Sequence, residues 1–489
     1  PLDEGCVPDG LYTAPTDEAL CDDWEVTQKL GFKMLRKHVK TEPQRLYYWC
    51  DKMGLLVWQD MPSSLFKRDS KDAAELERID AQWELELKRM IDAYRNHPCI
   101  VMWVPFNEAW GQYDTERIAQ WVKQYDPTRL VNSASGWTDK GVGDVHDVHA
   151  YPGPDMPPLE YHRAAVLGEF GGLGLPVEGH VWQDKGNWGY RSYEDAEAYA
   201  ENYINLVTRL YDLKDKGLAA AVYTQTTDCE VETNGLMTYD RDVIKLDPQV
   251  YGHLNRGVIP PQFPDRRESF LHKKTVELLL RNPNAGICYT LDGTEPVRSS
   301  KRYTAPIRID DTVLIKARSI WPNGDMSVIV SKQYKKLSTF VPAVDVTNAQ
   351  AGLTCEYYVG HWTQLPDFDQ LKPVRASIVP KMNLGWVADV KQDFALRFTG
   401  YIRAAHTDVY RFFTHSDDGS RLTIAGQVLV NNDGVHGMTE QSGEIALGAG
   451  WHPIELVYFQ GVGGLGLRVG FTSTGLEKQL IPAELLGHE

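Results

Sequence analysis

Ile100-Val-Met-Trp-Val-Pro-Phe-Asn-Glu-Ala-Trp110 runs apolar for the length of a buried strand and then stops at Asn107-Glu108. A strand that is apolar on both faces belongs to a parallel sheet covered by helices. Polar residues at the carboxyl end of such a strand sit where (β/α)8 barrels build their active sites. Working outward, strands are predicted over 33–37, 55–60, 100–106, 130–134, 145–151, 165–170 and 218–225, with helical patterns between them. Leu76, Ile79, Trp83, Leu87, Ile91 and Tyr94 share one helical face, and Asn96-His97-Pro98 stops that helix. A second helix is predicted over 193–214, opened by Ser192 with Asp195 three residues on. A closed barrel needs eight strands and only seven are named here. The helix predicted over 16–30 has no strand before it, so the first strand is expected upstream of Pro1 and the barrel is expected to be truncated.

Ala165-Val-Leu-Gly-Glu-Phe-Gly-Gly172 repeats the pattern of an apolar strand ending in a carboxylate, here Glu169. Two glutamates therefore project from one barrel mouth, and acetal cleavage needs such a pair, one to protonate the departing oxygen and one to attack the anomeric carbon. Composition agrees with a sugar ligand. The 489 residues carry 51 Lys plus Arg against 67 Asp plus Glu, a net charge of −16, which argues against nucleic acid as a partner. Fourteen Trp and 24 Tyr supply flat faces that cover pyranose rings. No run of apolar residues is long enough to span a bilayer. The seven Cys are scattered singly with no CxxC pair, which reads as mostly buried thiols. The opening at Pro1, with no hydrophobic leader, fits a processed product or a fragment.

These strands and their order resemble glycoside hydrolase family 2, the family of β-galactosidases, β-glucuronidases and β-mannosidases. The matching stretches are Gly31-Phe-Lys-Met-Leu-Arg-Lys-His38, Tyr48-Trp-Cys-Asp-Lys-Met-Gly-Leu-Leu-Val-Trp-Gln-Asp60, Asn96-His-Pro-Cys-Ile-Val-Met-Trp-Val-Pro-Phe-Asn-Glu108 and the run at Gly168-Glu-Phe-Gly171. The resemblance implies that Glu108 is the general acid/base, that Glu169 is the nucleophile of a retaining double displacement, and that Asn107 holds the sugar 2-hydroxyl. It also implies that Tyr151 hydrogen-bonds the nucleophile. Arg36 and His38 share a strand face, as do His149 and Tyr151, and with Asp60 they are candidate substrate contacts, each with an ion-pair or structural role as the alternative. Trp110, Trp182 and Trp188 are candidate stacking platforms, whereas Trp103 reads as core. The loop Thr224-Gln-Thr-Thr-Asp-Cys-Glu-Val-Glu-Thr-Asn-Gly235 resembles that of a subgroup of the family and offers Gln225, Asp228 and Glu230 as subsite candidates, with a satisfied acidic loop as the simpler alternative. No cofactor is expected to be required for catalysis, and the family resemblance implies a periplasmic or extracellular setting.

Residues 1–262 are expected to form the barrel, with β-type texture beyond it. Gly286-Ile-Cys-Tyr-Thr-Leu-Asp-Gly-Thr-Glu-Pro-Val297 resembles the C-terminal β-sandwich module of chitobiases and β-hexosaminidases, expected over 263–337. A linker is expected over 338–350. Residues 351–489 resemble the protective-antigen-type (PA fourteen) β-sandwich on Phe413-Thr-His-Ser-Asp-Asp-Gly-Ser-Arg-Leu-Thr-Ile-Ala-Gly426. In its lectin members an Asp-Asp pair holds Ca²⁺, and Asp417 and Asp418 match that pair; a structural Asp-Asp-Gly turn is the alternative, and Ala425 departs from the pattern.

Two functions from different classes stay open. One is a retaining exo-β-glycosidase acting on oligo- or polysaccharides, foremost a β-galactosidase, with β-glucuronidase, β-galacturonidase or β-mannosidase as variants. The other is a carbohydrate-binding or degenerate scaffold, which an incomplete barrel would favour. Oligomeric state is not legible.

Overall fold

Backbone that leaves a parallel strand must cross over before it returns, which is why short strands here alternate with helices. The computed structural model describes residues 1–5, 7, 8, 10, 13, 14, 16–63, 72–387, 392–461 and 463–489. Its N-terminal half contains eight parallel strands: β1 (Leu2–Asp3), β2 (Met34–Lys37), β3 (Leu56–Asp60), β4 (Ile100–Val104), β5 (Leu130–Val131), β6 (Val145–Ala150), β7 (Ala164–Gly171) and β8 (Ala220–Thr224). Strands β1 to β5 pair in chain order as one arc, and β6, β7 and β8 form a second. Backbone hydrogen bonds join the arcs at both ends. Thr226 N–H, just past β8, donates to the Leu2 carbonyl at 2.9 Å, and Asp144 N–H, just before β6, donates to the Val131 carbonyl at 2.8 Å.

The first strand is therefore within the chain, which corrects the expectation of a truncated barrel. Leu2 and Asp3 pair with Arg36 and Lys37, and β1 is held further by Lys37, whose ammonium has no exposed surface and contacts Asp3 at 2.5 Å and Glu42 at 2.7 Å. Two residues carry no period for sequence to reveal, and an ion pair with the next strand fixes the register instead.

Among the described residues six α-helices cross between or follow the strands: α1 (Asp17–Lys29), α2 (Gln44–Met53), α3 (Ala73–Tyr94), α4 (Thr115–Tyr125), α5 (Ala196–Asp215) and α6 (Pro248–Asn255). The expected Ser192 cap is corrected to Asp195, whose carboxylate accepts from Ala198 N–H. Ser192 instead belongs to a two-residue strand paired with Leu173–Gly174. Inside the ring of strands Leu2, Trp58, Met102, Val104, Val145, Val166 and Val222 form one buried cluster, so the barrel has a filled interior and its chemistry is confined to the mouth. Outside, Trp24, Leu46, Leu87, Ile91 and Val122 of the helices cover Leu35, Val57, Ile100 and Trp103. Trp103 is fully buried, with its indole N–H on Asp126, as a core residue should be.

The chain divides into two compact units. One comprises residues 1–260, 280–286 and 318–329, and the other comprises 261–279, 287–317 and 330–489. In the second unit Val313 to Ala317 pair antiparallel with Tyr334 to Val330. Its larger part is a sandwich whose long strands Phe394–Ala404 and Gly450–Gln460 pair along their whole length. Asp408–Asp417 pairs with Thr439–Leu447 and Gly466–Ser473 in the other sheet. Between the sheets lies a core that includes Phe394, Phe398, Leu422, Leu456 and Phe471. Within the expected linker, Val341 and Val344 donate backbone hydrogen bonds to Ala446 and Trp451, so that segment runs along this sandwich. Cys21, Cys50, Cys99, Cys288 and Cys355 are thiols, four of them buried, while Cys229 is disulfide-bonded, which the lone spacing of the cysteines did not disclose. Cys6 lies outside the described residues. No described helix is long and apolar enough to cross a membrane.

Candidate active site

Past β4 the backbone turns sharply. Glu108 and Ala109 take left-handed conformations with φ of 50° and 64°, Glu108 N–H donates to the Ser135 carbonyl, and Trp110 N–H closes onto the Asn107 carbonyl. Such conformations cost non-glycine residues about 1–3 kcal/mol and persist where the surroundings enforce them, commonly at active sites. Glu169 lies within β7 and is buried. Carboxylate oxygens of Glu108 and Glu169 and a ring nitrogen of His149 all fall within 4.8 Å of one another. The two glutamates thus converge, as their strand-end positions predict.

Beneath them lies Arg36, which has no exposed surface. Its Nε and Nη2 grip Asp60 at 3.1 and 2.9 Å, Nη2 also donates to Asn107 Oδ1 at 2.8 Å, and Nη1 donates to Glu169 Oε1 at 3.2 Å and the Gly168 carbonyl at 3.1 Å. All five guanidinium hydrogens are thereby used. Asp60 is fully enclosed and spends both oxygens on Arg36. His38 Nδ1 stands 3.4 Å from Asp60 and 3.8 Å from Glu169. Among the described residues Asn107 Nδ2 is buried with no hydrogen-bond partner.

Electrostatics set Glu169 apart. Burial, the largest influence, raises its carboxyl, but the charges of His149, His38 and Arg36 and the Tyr151 hydrogen bond outweigh it and hold it below the ordinary value. Tyr151 donates to Glu169 Oε2 at 2.5 Å and meets Thr224 Oγ1 at 2.8 Å; burial, with Glu169 adding, pushes the phenol far up, so it stays a donor.

Glu108 has a different neighbour. His149 Nδ1 lies 2.8 Å from Glu108 Oε1, and Nε2 lies 2.7 Å from Ser135 Oγ. Ser135 donates its one hydrogen to Asp147 Oδ2 at 2.6 Å, so its oxygen accepts from His149 Nε2–H. One proton is then held on the hydrogen bond between Nδ1 and Glu108. Asp147 is fully buried, and it also accepts from Asn132 Nδ2 and Gly168 N–H at 2.6 Å each. Burial raises its carboxyl. Gly168 is needed for this approach, because a Cβ there would lie 2.3 Å from the Asp147 carboxylate. Gly136, with φ of 92°, similarly lets backbone pass under the His149 ring.

Aromatic residues wall the mouth. Tyr190 stacks flat on Tyr151 with centroids 3.6 Å apart, and Trp188 meets Tyr190 edge-on at 5.4 Å. Trp137 meets the His149 ring at 5.4 Å. Trp110, Trp137, Trp188 and Tyr190 all expose much of their surface. Trp182 touches Tyr239 instead. Gln225 Nε2 donates to Asn234, and Asp228 accepts from Lys245 and Gly235. Sequence reasoning missed Asp147, Ser135, Trp137 and Tyr190. Asp147 carried a usable signal, since it shares strand parity with His149 and Tyr151. The other three lie on loops, where no period marks them.

Metal-ligating groupings among the described residues are the Glu108, His149 and Glu169 trio itself, Asp139 with His146 and Glu160, and His180 with Asp240 and Asp242. Asp139 and Glu160 are both ion-paired with Arg163. In the C-terminal sandwich Asp417 and Asp418 are both buried. Asp418 accepts from His436 N–H and Gly461 N–H, while burial and the adjacent Asp418 raise the Asp417 carboxyl. A Cβ at Gly464 would lie 2.3 Å from Asp417 Oδ2. Two crowded carboxylates against a glycine suit a hard cation.

Comparison with known proteins matches this layout. The model for the glycosyl hydrolases family 2 TIM barrel domain matches residues 14–164, that for the chitobiase/beta-hexosaminidase C-terminal domain matches 267–331, and that for the PA14 domain matches 387–484. A barrel segment similar to the glycosyl hydrolases family 2 domain is thus followed by segments similar to the two other modules. A putative beta-glucuronidase of Formosa agariphila is 32% identical over 107 residues, which is 22% of this chain and 10% of that protein. A beta-galactosidase of Klebsiella pneumoniae is 29% identical over 136 residues, 27% of this chain and 13% of that protein. The chain therefore aligns with only a small part of either relative. A solved beta-glucuronidase of Bacteroides uniformis superposes with a TM-score of 0.41 at 15% identity, covering 96% of this chain and 64% of that one.

Replacing Arg36 with Met would strand Asp60 and Glu169 without their cation. Removing one partner of a buried ion pair costs about 3–5 kcal/mol. Urea denaturation followed by barrel tryptophan fluorescence should show a loss of that size, and a loss below about 1 kcal/mol would contradict the network's role.

Proposed function

We propose that the barrel is a retaining exo-β-glycosidase that removes a terminal β-linked sugar, foremost galactosyl, from oligo- or polysaccharides. The observation that carries this reading is the approach of Glu108 and Glu169 to within 4.8 Å, in two different environments. Retaining enzymes hold their carboxyl groups about 5–5.5 Å apart, whereas inverting ones leave about 6.5–9.5 Å for a water. Glu169, kept ionised by its cationic neighbours, attacks the anomeric carbon and forms a glycosyl ester. Glu108 delivers the proton held between it and His149 to the departing oxygen, then takes one from the hydrolytic water. Tyr151 steadies Glu169, and the free Asn107 Nδ2 donates to the sugar 2-hydroxyl. Trp188 and Tyr190 offer faces to the sugar, and Trp110 and Trp137 flank the leaving group.

The galactosyl preference is supported by the Klebsiella relative, and a glucuronidase reading by the Formosa one. The rival scaffold reading loses its main support, since β1 supplies the strand it needed to be absent. Asp417 and Asp418 would hold Ca²⁺ in the C-terminal sandwich, where the ion would supply coordination sites for sugar hydroxyls.

Glu108→Gln and Glu169→Gln should each lower turnover of aryl β-glycosides by several orders of magnitude. Glu108→Gln should lose least on aglycones that leave without protonation. Equal losses for good and poor leaving groups would reverse the assignment of roles.

The pH profile follows from Glu169. Its carboxyl is depressed, so the reactive anion persists as pH falls and is lost only on passing below that value. The acid limb of kcat/KM should thus lie below the ordinary glutamate value of about 4.3; a limb near pH 6 would contradict it.

Millimolar Ca²⁺ should raise the melting temperature of the full chain, and Asp418→Asn should abolish the rise. Saturation at a hundredfold over Kd stabilises by about 2.7 kcal/mol. An unchanged melt would remove the calcium assignment.

A further inference from the structure

Around the barrel, the junction of β8 and β1 lies across from β4, the strand that carries Glu108. At that junction two more carboxylates, Glu4 and Glu232, lie within electrostatic reach of His38 and Glu169. Asp3 accepts from His38 N–H at 3.0 Å, which sets the next residue, Glu4, on the rim beside His38. Glu232 is aimed by a relay: Gln225 Nε2, at the end of β8, donates to Asn234 Oδ1 at 2.9 Å, and Asn234 Nδ2 donates to Glu232 Oε1 at 2.7 Å. The Glu232 backbone is bridged to Trp188, whose ring meets the Tyr190 that stacks on Tyr151. Among the described residues neither Glu4 nor Glu232 has an ion-pair partner. Among the nearby cations Arg36 is committed to Asp60 and Glu169, Lys37 to Asp3 and Glu42, Lys40 to Glu42, and Lys245 to Asp228, while His38, whose charge favours both the Glu4 and the Glu232 anion, faces Asp60 at 3.4 Å and Glu169 at 3.8 Å.

The reaction geometry says what this wall faces. Glu108 lies against the leaving oxygen and Glu169 beneath the anomeric carbon, so the far end of the sugar, C4 to C6, extends away from Glu108 toward β8 and β1. We infer that Glu4 and Glu232 form a carboxylate wall at the non-reducing end of the sugar site, one that accepts hydrogen bonds from a neutral sugar and rejects a sugar bearing a C6 carboxylate. The inference rests on the glycosidase reading and chooses between its neutral-sugar and uronide variants. Like charges set together in a water-poor site repel strongly, and a binding site gains specificity as much from such repulsion as from attraction. Burial, with Glu4 and Glu169 adding, pushes the Glu232 carboxyl up to about 7 against the Asn234 hydrogen bond and the His38 charge. Burial likewise raises Glu4, with His38 and Lys37 opposing and Glu169 and Asp3 adding. These opposing influences are those of carboxylates facing one another and the nucleophile.

The test uses the full chain at about pH 8, where Glu232 is ionised. Nitrophenyl β-galactoside and β-glucoside are compared with the matching galacturonide and glucuronide. The neutral sugars should win by about a hundredfold in kcat/KM, the size expected of a buried like-charge clash. Glu232→Gln and Glu4→Gln should each narrow that ratio about tenfold through a lower KM for the uronide. Uronides cleaved as well as neutral sugars, or a ratio unchanged in both variants with melting temperatures intact, would overturn the inference and leave the glycosidase reading standing. If no glycoside is cleaved and deoxyfluoro glycosides label no carboxylate, the glycosidase reading falls instead. Ligand-observed NMR then still decides the wall: preference for methyl β-galactoside over its uronate supports it, and the reverse overturns it.

Discussion

A guanidinium with no surface in water is expensive to bury, and Arg36 is tolerable only because it meets a full set of acceptors. Those acceptors come from three other strands or strand ends: Asp60 on β3, Asn107 past β4, and Gly168 with Glu169 on β7. The ion therefore ties β2, β3, β4 and β7 into one geometry. It also decides the orientation of Asn107. With Oδ1 accepting from Arg36, the amide presents its NH₂ the other way, where Nδ2 has no partner among the described residues. One buried charge thus fixes both the Glu169 carboxylate and the hydrogen-bond polarity of its neighbour.

The two glutamates are chemically identical and are made different by what surrounds them, the general route by which one site runs both acid and base chemistry. Glu169 is enclosed by Arg36, His38, His149 and the Tyr151 phenol, all of which favour its anion. Glu108 sits on a left-handed turn and is hydrogen-bonded to the imidazole of His149. That imidazole leads through Ser135 to Asp147, a carboxylate held far inside the strand layer by Asn132 and Gly168. A ring fixed at both nitrogens cannot swing, so the proton it shares with Glu108 stays at a defined point in the mouth.

What was legible in the sequence follows from how each feature is encoded. Asn107-Glu108 and Glu169 end long apolar strands, and strand polarity alone brings such ends to one face. The C-terminal sandwich shows the same legibility in its alternating strands. Leu2–Asp3 is too short to show a period, and its place is set by Lys37 and by Thr226, far apart in sequence. Trp137, Tyr190, Glu4 and Glu232 sit on loops or rims, so their adjacency is tertiary and no spacing announces it. Gln225 is a candidate subsite residue from its loop alone, and its amide is engaged with Asn234, a partner nine residues on that only the folded loop reveals.

Strands and loops therefore divide the work. Strand ends carry the two converging glutamates, locked by Arg36 and by the Asp147 relay. The loops after β7 and β8 carry Trp188, Tyr190 and Glu232, and they are not independent. Trp188 N–H donates to the Val231 carbonyl, and Thr233 N–H donates to the Trp188 carbonyl, so the aromatic wall and the Glu232 carboxylate move as one piece. Cys229, disulfide-bonded at the base of the second loop, restrains it further. On the proposed reading a change of sugar preference requires the two loops to change together, because shifting Trp188 alone would also displace the backbone that carries Glu232.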